Sequence, residues 1–419
     1  MGATGLTHPI FESAGAPGRV ELDVGVLLAG GLAGPGGLSP GTVARFEDED
    51  PSSPLRVYGV PKRMLVEFRI LGAPVSVITS TTLSLIRLLH EAGRPLTSSY
   101  DPDSDAPATT RPNARIVLNG RAGTGKSFLL LQLASYAHAL RDWIVIYVPR
   151  TRALLDGSTP AVYSLQTQTW AQPRAAWNLL SRIGRANVAL LARMGTQREC
   201  DRDAGHVKIG TPLTELVNLA GQQQTIDHAL APLLLDALLT ELSIQTAHPV
   251  LLAIDDFQAL AMGRSGYRDP QFKGIRPHHL GMGRLLLEFA GGRRAFARGL
   301  VIGALSRSDP MFPVPPQLAA ALSIPDEFTP SPRSVRERRS AQLASYLEGE
   351  GKRRERALRA VRVPDALSVR EAAALFEVWL DAGRETGADE LFLGKYAESS
   401  GNARAFVWGG LLATLQTAK

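Results

Sequence analysis

The sequence has few cysteines and lysines and no long apolar run. Cys200 is the single cysteine among 419 residues, so neither an intramolecular disulfide nor a cysteine-based metal site can form. No stretch approaches the roughly eighteen unbroken apolar residues that would span a bilayer, which predicts a soluble protein without a membrane partner. Only seven of the 46 basic residues are lysines. The excess of arginine either suits planar, bidentate contact with phosphate or reflects codon bias.

The N-terminal composition gives no sign of a targeting peptide. Residues 1–20 contain one arginine, Arg19, and already include the acidic Glu12. Mitochondrial transit peptides are rich in arginine and poor in acidic residues. The composition therefore does not predict a transit peptide.

Changes in composition divide the chain into four parts. Ala14 to Pro54 is rich in Gly, Ala and Pro, which predicts an extended or mobile segment, so we assign 1–57 to a flexible N-terminal part. Residues 58–110 form a predicted N-terminal extension. The main domain is expected over 111–365, with a helical insertion over 151–247 that is too long for a plain crossover. Residues 366–419 are expected to form a small C-terminal helical lid.

Five short apolar runs alternate with helical patterns and predict an α/β fold with a parallel sheet. A helix is expected from Phe128 to Leu140, another is expected to open at Thr211-Pro212 and run through Val217, and Ser368 with Glu371 predicts a capping box for a helix through Leu380. The predicted strands are Arg115 to Leu118, Trp143 to Val148, Val250 to Ile254, Leu300 to Leu305, and Val361 to Val363.

A glycine-rich motif follows the first of these strands and opens a helix. It matches G-x-x-x-x-G-K-[ST], the signature of P-loop NTPases. Its glycines let backbone N–H groups curl around phosphates, Lys126 reaches the β and γ phosphates, and Ser127 is predicted to ligate Mg²⁺. The predicted nucleotide-binding residues are Gly120, Arg121, Ala122, Gly123, Thr124, Gly125, Lys126 and Ser127.

Two consecutive carboxylates end the third predicted strand. A buried strand followed by a helix cap would look similar, but beside the glycine-rich motif Asp255 is predicted to hold Mg²⁺ through water. Asp256 occupies the position where many ATPases of this type carry a water-activating glutamate. Because aspartate is one methylene shorter, we expect weak or absent hydrolysis.

Two further residues are candidates for the same pocket. Ser306, at the end of the fourth strand, is either a catalytic residue that positions water or a simple strand-end cap. Arg404 opens a helix in the predicted lid and either reaches the phosphates or is an ordinary exposed arginine. The guanine signature Asn-Lys-x-Asp is absent, so the residues alone lean towards adenine.

A basic helical stretch from Arg333 to Arg359 has two interpretations. Glutamates interleave with its arginines and lysine, as on a solvated helix face. The same density of positive charge also suits contact with nucleic-acid phosphates.

Several longer segments carry a family resemblance over roughly residues 58–410. These are Pro61 to Phe68, the P-loop, Tyr163 to Pro173, Thr211 to Leu216, His248 to Leu260, and Ser400 to Arg404. Together they resemble the death-associated-protein family of the mitochondrial small ribosomal subunit, in its fungal form.

The resemblance implies an AAA-like nucleotide-binding fold in a mitochondrial ribosomal protein. It implies contacts with small-subunit ribosomal RNA, with neighbouring ribosomal proteins and with the large subunit. It also implies bound GTP or GDP, whereas the missing guanine signature keeps ATP as an alternative.

Three functional hypotheses follow. The first is a structural constituent of the mitochondrial small ribosomal subunit that holds a purine nucleotide and Mg²⁺. The second is an active AAA-like ATPase that uses Asp256, Ser306 and Arg404 to couple hydrolysis to lid motion. The third is a general RNA-binding module with a vestigial pocket.

Overall fold

The structure is a computed structural model that describes residues 20–21, 39–94, 114–202, 205–222, 229–309, 312–324, 341–347, 358–381 and 389–415. None of the helices in these ranges is long and apolar enough to cross a membrane. The strands are β1 (Val20–Glu21), β2 (Val43–Arg45), β3 (Val75–Val77), β4 (Arg115–Asn119), β5 (Ile144–Val148), β6 (Val162–Ser164), β7 (Thr169–Ala171), β8 (Cys200–Arg202), β9 (Gly205–Val207), β10 (Val250–Ile254), β11 (Gly299–Ala304) and β12 (Arg359–Arg362).

Helices make up most of the remaining regular structure. Short 3-10 helices lie at Thr151–Leu154, Phe257–Ala261 and Pro277–His279, and a π-helix spans Ala405–Leu411. The α-helices are α1 (Pro54–Tyr58), α2 (Lys62–Leu71), α3 (Ser80–Ala92), α4 (Lys126–Ala139), α5 (Pro173–Ala186), α6 (Val188–Leu191), α7 (Thr214–Gln222), α8 (Ala231–Ile244), α9 (Gly281–Ala290), α10 (Pro316–Ala321), α11 (Ala341–Leu347), α12 (Val369–Asp381), α13 (Asp389–Glu398) and α14 (Leu412–Leu415).

The central sheet has five parallel strands in the order β12-β4-β11-β10-β5. Every residue of β5, β10 and β11 is buried, as expected for strands that bury both faces. Each predicted strand matches an observed one within two residues at either end, so the predicted α/β fold with a parallel sheet is confirmed. All five carboxyl ends lie at one edge, where ligands bind in open sheets of this type.

The N-terminal part is more ordered than its composition suggests. Strand β2 pairs with β3 in antiparallel register, and the side chains of Val43 and Phe46 are buried. Ser53 caps α1 by accepting a hydrogen bond from the backbone N–H of Arg56, and the Tyr58 hydroxyl donates to the carbonyl of Val145 at 2.7 Å.

The prediction of an extended or mobile segment is therefore wrong for residues 39–57, because their apolar side chains pack into the core. The predicted boundary between 57 and 58 falls inside α1. Residues 1–19 and 22–38 lie outside the described residues.

In the residues of 151–247 that the structure describes, the insertion contains four α-helices, α5 to α8, and also two antiparallel strand pairs, β6–β7 and β8–β9. The helix predicted to open at Thr211-Pro212 begins instead at Thr214. Thr211 accepts a backbone hydrogen bond from Thr196 at 2.8 Å, and Pro212 forms a β-bridge with Gly195. This extended pairing excludes both residues from the helix.

The C-terminal part forms its own small core around Phe376, Phe392 and Phe406. The capping box is confirmed, since Glu371 accepts the backbone N–H of Ser368 at 2.8 Å. The same carboxylate also accepts the N–H of Ser80 at 2.8 Å, which ties α12 to the start of α3. Within the predicted basic stretch the structure has α11, while 325–340 and 348–357, which carry nearly all its arginines, lie outside the described residues.

Candidate functional site

The glycine-rich loop, residues 120–125, connects β4 to α4 at the carboxyl edge of the sheet. Gly123 and Gly125 have φ angles of +84° and +82°, a region that residues with a Cβ rarely adopt. Gly125 immediately precedes the first residue of α4. The loop thus directs its backbone around the N-terminus of a buried helix, where partial positive charge accumulates.

Lys126 lies under this loop with only 7% of its surface exposed. Its Nζ donates to the carbonyls of Gly120 at 2.9 Å and Arg121 at 2.6 Å, and to Thr124 Oγ1 at 3.0 Å. Burial, together with the nearby positive charge of Arg307, lowers the pKa of Lys126 from 10.5 to about 8. The loop therefore concentrates positive charge that no neighbouring carboxylate fully balances.

Asp255 faces the loop from the end of β10 and is 3% exposed. Its carboxylate is hydrogen-bonded by the Ser127 side chain and by the backbone N–H of Asp256 at 3.0 Å. Burial and the adjacent Asp256 charge raise the pKa of Asp255 above its usual range. A cation bound beside Asp255 would lower its pKa again, because the positive charge favours the ionised carboxylate.

Asp256 follows with a φ of +53°, which turns its side chain into the cavity beside Asp255. Burial raises its pKa, and a hydrogen bond with the Ser306 side chain opposes that rise. Ser306 is also held through its backbone, because Gln258 accepts from its N–H at 3.0 Å and donates to its carbonyl at 2.8 Å. The structure thus brings Asp256 and Ser306 together, as their strand-end positions predict.

The C-terminal part, which we name the lid, touches the glycine-rich loop directly. The backbone N–H of Arg404 donates to the Gly123 carbonyl at 3.0 Å, and Asn402 Nδ2 donates to the Ala122 carbonyl at 2.9 Å. A Cβ at Gly123 would lie 2.5 Å from Asn402 Oδ1 and 2.8 Å from Arg404 Cβ. Only glycine permits this close approach of lid and loop.

Two contributors to the site were missed by the sequence reasoning. Arg307 donates to Asn119 Oδ1 at 3.1 Å and lines the cavity. Asn402 holds the loop backbone as described above. Arg307 could have been predicted from the sequence, since it directly follows Ser306 past the carboxyl end of β11. The contact of Asn402 could not, because it depends on how the lid docks.

These residues surround one cavity of about 560 Å³, a volume typical of small-molecule sites. Its lining combines cationic groups on the loop side with carboxylates opposite, and extends between α2 and α12. The predicted site residues that line it include Gly123, Lys126, Ser127, Asp255, Asp256, Ser306 and Arg404.

The donor set fits a phosphate with a hard divalent cation. Glycines with positive φ, a buried lysine and a helix N-terminus suit an anion of several oxygens. The hydroxyl of Ser127 and the carboxylate of Asp255 are the oxygen ligands, direct or through water, that Mg²⁺ prefers.

A family model described as Mitochondrial ribosomal death-associated protein 3 matches residues 104–408. The chain belongs to this family. The family resemblance noted in the sequence is thereby confirmed, and so is the predicted mitochondrial localisation. The match takes in the central sheet, the glycine-rich loop and most of the lid.

Two curated fungal relatives are similar to this chain. Small ribosomal subunit protein mS29 of Neurospora crassa is 28% identical over 295 residues, which cover 69% of this chain and 60% of the relative. Small ribosomal subunit protein mS29 of Schizosaccharomyces pombe is 24% identical over 268 residues, which cover 60% of this chain and 52% of the relative. The matches thus span between half and two thirds of each relative's length.

Proposed function

We propose that this chain is a structural constituent of the mitochondrial small ribosomal subunit that holds a purine nucleotide with Mg²⁺ through its P-loop. Its partners would be the small-subunit ribosomal RNA, neighbouring ribosomal proteins and, across the subunit interface, the large subunit. Family membership and the two relatives named as small-subunit proteins support the ribosomal part. The nucleotide part is supported by the cavity.

The observation that carries the nucleotide proposal is the position of Lys126. Its Nζ is buried against oxygens of its own loop, and Arg307 and Arg404 add positive potential around it. Burying such a charge costs free energy unless an anion pairs with it. Phosphates would supply that anion, with the Nζ turning from the loop carbonyls towards them.

The roles of the other residues follow from their contacts. Backbone N–H groups of the glycine-rich loop would bind phosphate oxygens, and Ser127 with Asp255 would hold Mg²⁺, which neutralises phosphate charge when bound. Asp256 lies close enough to the Ser306 side chain for it to lower the Asp256 pKa, and the short side chain of Asp256 places it poorly for activating water. We therefore expect nucleotide to be held with little turnover.

An active AAA-like NTPase is the second candidate. It is favoured by the hydrogen bond between Asp256 and Ser306, in the cavity that Arg404 also lines. That arrangement would allow Asp256 to orient water and Arg404 to couple hydrolysis to the lid.

The deciding experiment is to purify the full chain gently, release any bound nucleotide by denaturation and identify it by chromatography. Turnover of added ATP and GTP is then followed on the same preparation. A retained purine nucleotide near one per chain, with negligible turnover, supports the structural proposal and identifies the base. An empty pocket with steady turnover favours the NTPase instead.

A test of the ribosomal part is separate. The full chain expressed in fungal mitochondria is expected to sediment with the small ribosomal subunit in a sucrose gradient. Sedimentation as a free protein under conditions that preserve ribosomes would count against it.

A further inference from the structure

A second cavity, of about 650 Å³, lies next to the candidate site on the N-terminal side. We define the arginine groove by the four arginines that line it. They come from three helices and one loop: Arg56 from α1, Arg69 from the last turn of α2, Arg182 from α5, and Arg150 from the loop that follows β5.

The groove has a strong imbalance of charge. Its lining contains one carboxylate, Asp48, which pairs with Arg45 at 3.4 Å. Within the described part of the chain, no carboxylate forms an ion pair with any of the four arginines. Arg150 and Arg182 lie close enough for their charges to repel, and burial together with neighbouring arginines lowers the pKa of Arg182.

The groove is open to a ligand from solvent. Arg56, Arg69 and Arg150 are exposed, while Arg182 is half-buried. Between them the floor is apolar, formed by Leu55, Val57, Phe68 and their neighbours. Guanidinium groups above an apolar floor can bind phosphates at the rim while sugar and base atoms contact the floor.

We infer that the arginine groove binds the phosphate backbone of a single-stranded RNA segment. Four guanidinium groups that form no ion pair with a described carboxylate complement a polyanion, although Arg150 also lies within electrostatic range of Asp256 in the candidate site. The apolar floor favours a single strand, because unstacked bases can contact apolar side chains whereas those of a duplex are stacked inside it. The choice of RNA over an acidic peptide rests on the proposed ribosomal function.

The test is binding of a fluorescein-labelled oligouridine to the full chain, followed by anisotropy over a series of KCl concentrations. The groove variant is Arg56→Gln with Arg69→Gln, two exposed positions, and its thermal unfolding is compared with that of the wild type to check that it folds. Its matched control is Arg87→Gln with Arg174→Gln, which removes the same charge from exposed helix positions outside the groove.

We expect the wild-type affinity to fall steeply with salt. The groove variant should bind several-fold more weakly, with a log–log salt slope reduced by about 1.4, since each lost contact to a single strand removes about 0.7. The control variant should keep the wild-type affinity and slope. Arg182→Lys, which keeps the charge but loses the planar fork, should weaken binding without a comparable change in slope.

Two results would overturn the inference. One is an equal loss of RNA binding in the control variant, which would mean that only overall charge matters. The other is tighter binding of an oligoglutamate of matched length than of RNA, which would assign the groove to an acidic peptide.

Measuring the nucleotide that copurifies with each preparation distinguishes failure of the RNA proposal from failure of the nucleotide proposal. The groove variant should hold as much nucleotide as the wild type. Wild-type protein that binds RNA in the groove but retains no nucleotide would count against the proposed nucleotide function alone.

Discussion

The two walls of the candidate site respond to burial in opposite directions. On the loop wall, burial lowers the pKa of Lys126 to about 8, whereas on the carboxylate wall burial raises the pKa of Asp255. In both cases the charged form is the one that burial disfavours. Each wall offsets only part of the other's charge, and a phosphate together with a divalent cation would supply the rest.

The largest loss of nucleotide affinity is expected from removing the Lys126 ammonium group on the loop wall. Lys126→Ala should weaken nucleotide binding on the order of a thousandfold, because it deletes one partner of a buried, hydrogen-bonded charge pair. Nucleotide retained after gel filtration measures this. Lys208→Ala, at an exposed turn, is the matched control, and equal retention by both variants would show that Lys126 does not contact the ligand.

A smaller loss, of Mg²⁺ affinity, is expected from replacing Asp255 on the carboxylate wall. Asp255→Asn should lower Mg²⁺ affinity at least on the order of tenfold, the cost typical for groups that orient metal ligands. The nucleotide-free variant should also unfold at a higher temperature than wild type at pH 8, because a neutral amide replaces a buried carboxylate. Asp156→Asn, on the surface, should change neither quantity.

The pH dependence of stability should differ between the walls. The pKa of Asp255 is raised from 3.8 to about 7, so the folded nucleotide-free protein binds more protons than the unfolded chain in that range. Its free energy of unfolding should therefore fall as pH rises from 3.8 to about 7.

Lys126 gives the opposite slope at higher pH. Its folded pKa of about 8 lies below 10.5, so the unfolded chain binds more protons and stability should rise between these values. Urea unfolding over a pH series checks both windows. Asp255→Asn should mainly flatten the acidic limb and Lys126→Ala mainly the basic one, with a smaller change in the other limb because the two charges interact. Slopes unchanged in both variants would contradict this assignment.

The smallest effect, on the rate of nucleotide release, is expected from removing a hydrogen bond between the lid and the glycine-rich loop. Asn402→Ala removes the hydrogen bond to the Ala122 carbonyl and should speed nucleotide release about two- to tenfold, the range for one net hydrogen bond. Stopped-flow displacement of a fluorescent nucleotide measures the rate. Asn218→Ala, which removes a surface hydrogen bond to Glu215, is the control, and release rates that match it would show that Asn402 does not hold the loop in its binding conformation.

The central sheet was predictable because its strands are unbroken apolar runs that end in polar, motif-bearing residues. Asp255 and Ser306 could be placed at the same edge for that reason, and the structure brings them close. The hairpin β6–β7 was missed because three-residue strands are too short to show a period. Residues 39–57 were misjudged from composition, although Ser53 before Pro54 carried the signal of a helix start.

The remaining parts of the site depend on long-range packing. The contact of Asn402 with Ala122 joins residues 280 positions apart, and the link from Glu371 to Ser80 spans 291. No local pattern encodes such pairs. They arise when the lid core around Phe376 docks against the α2 and α3 region.

At Gly123 the docking of the lid restricts which residue the sequence can carry. Its position is a free one in the G-x-x-x-x-G-K-[ST] pattern, so the motif itself does not require glycine there, although the φ of +84° already favours it. The approach of Asn402 and Arg404 removes that freedom. In an alignment of homologues, Gly123 and Asn402 are expected to covary. Homologues without the lid should show more residue types at the position of Gly123.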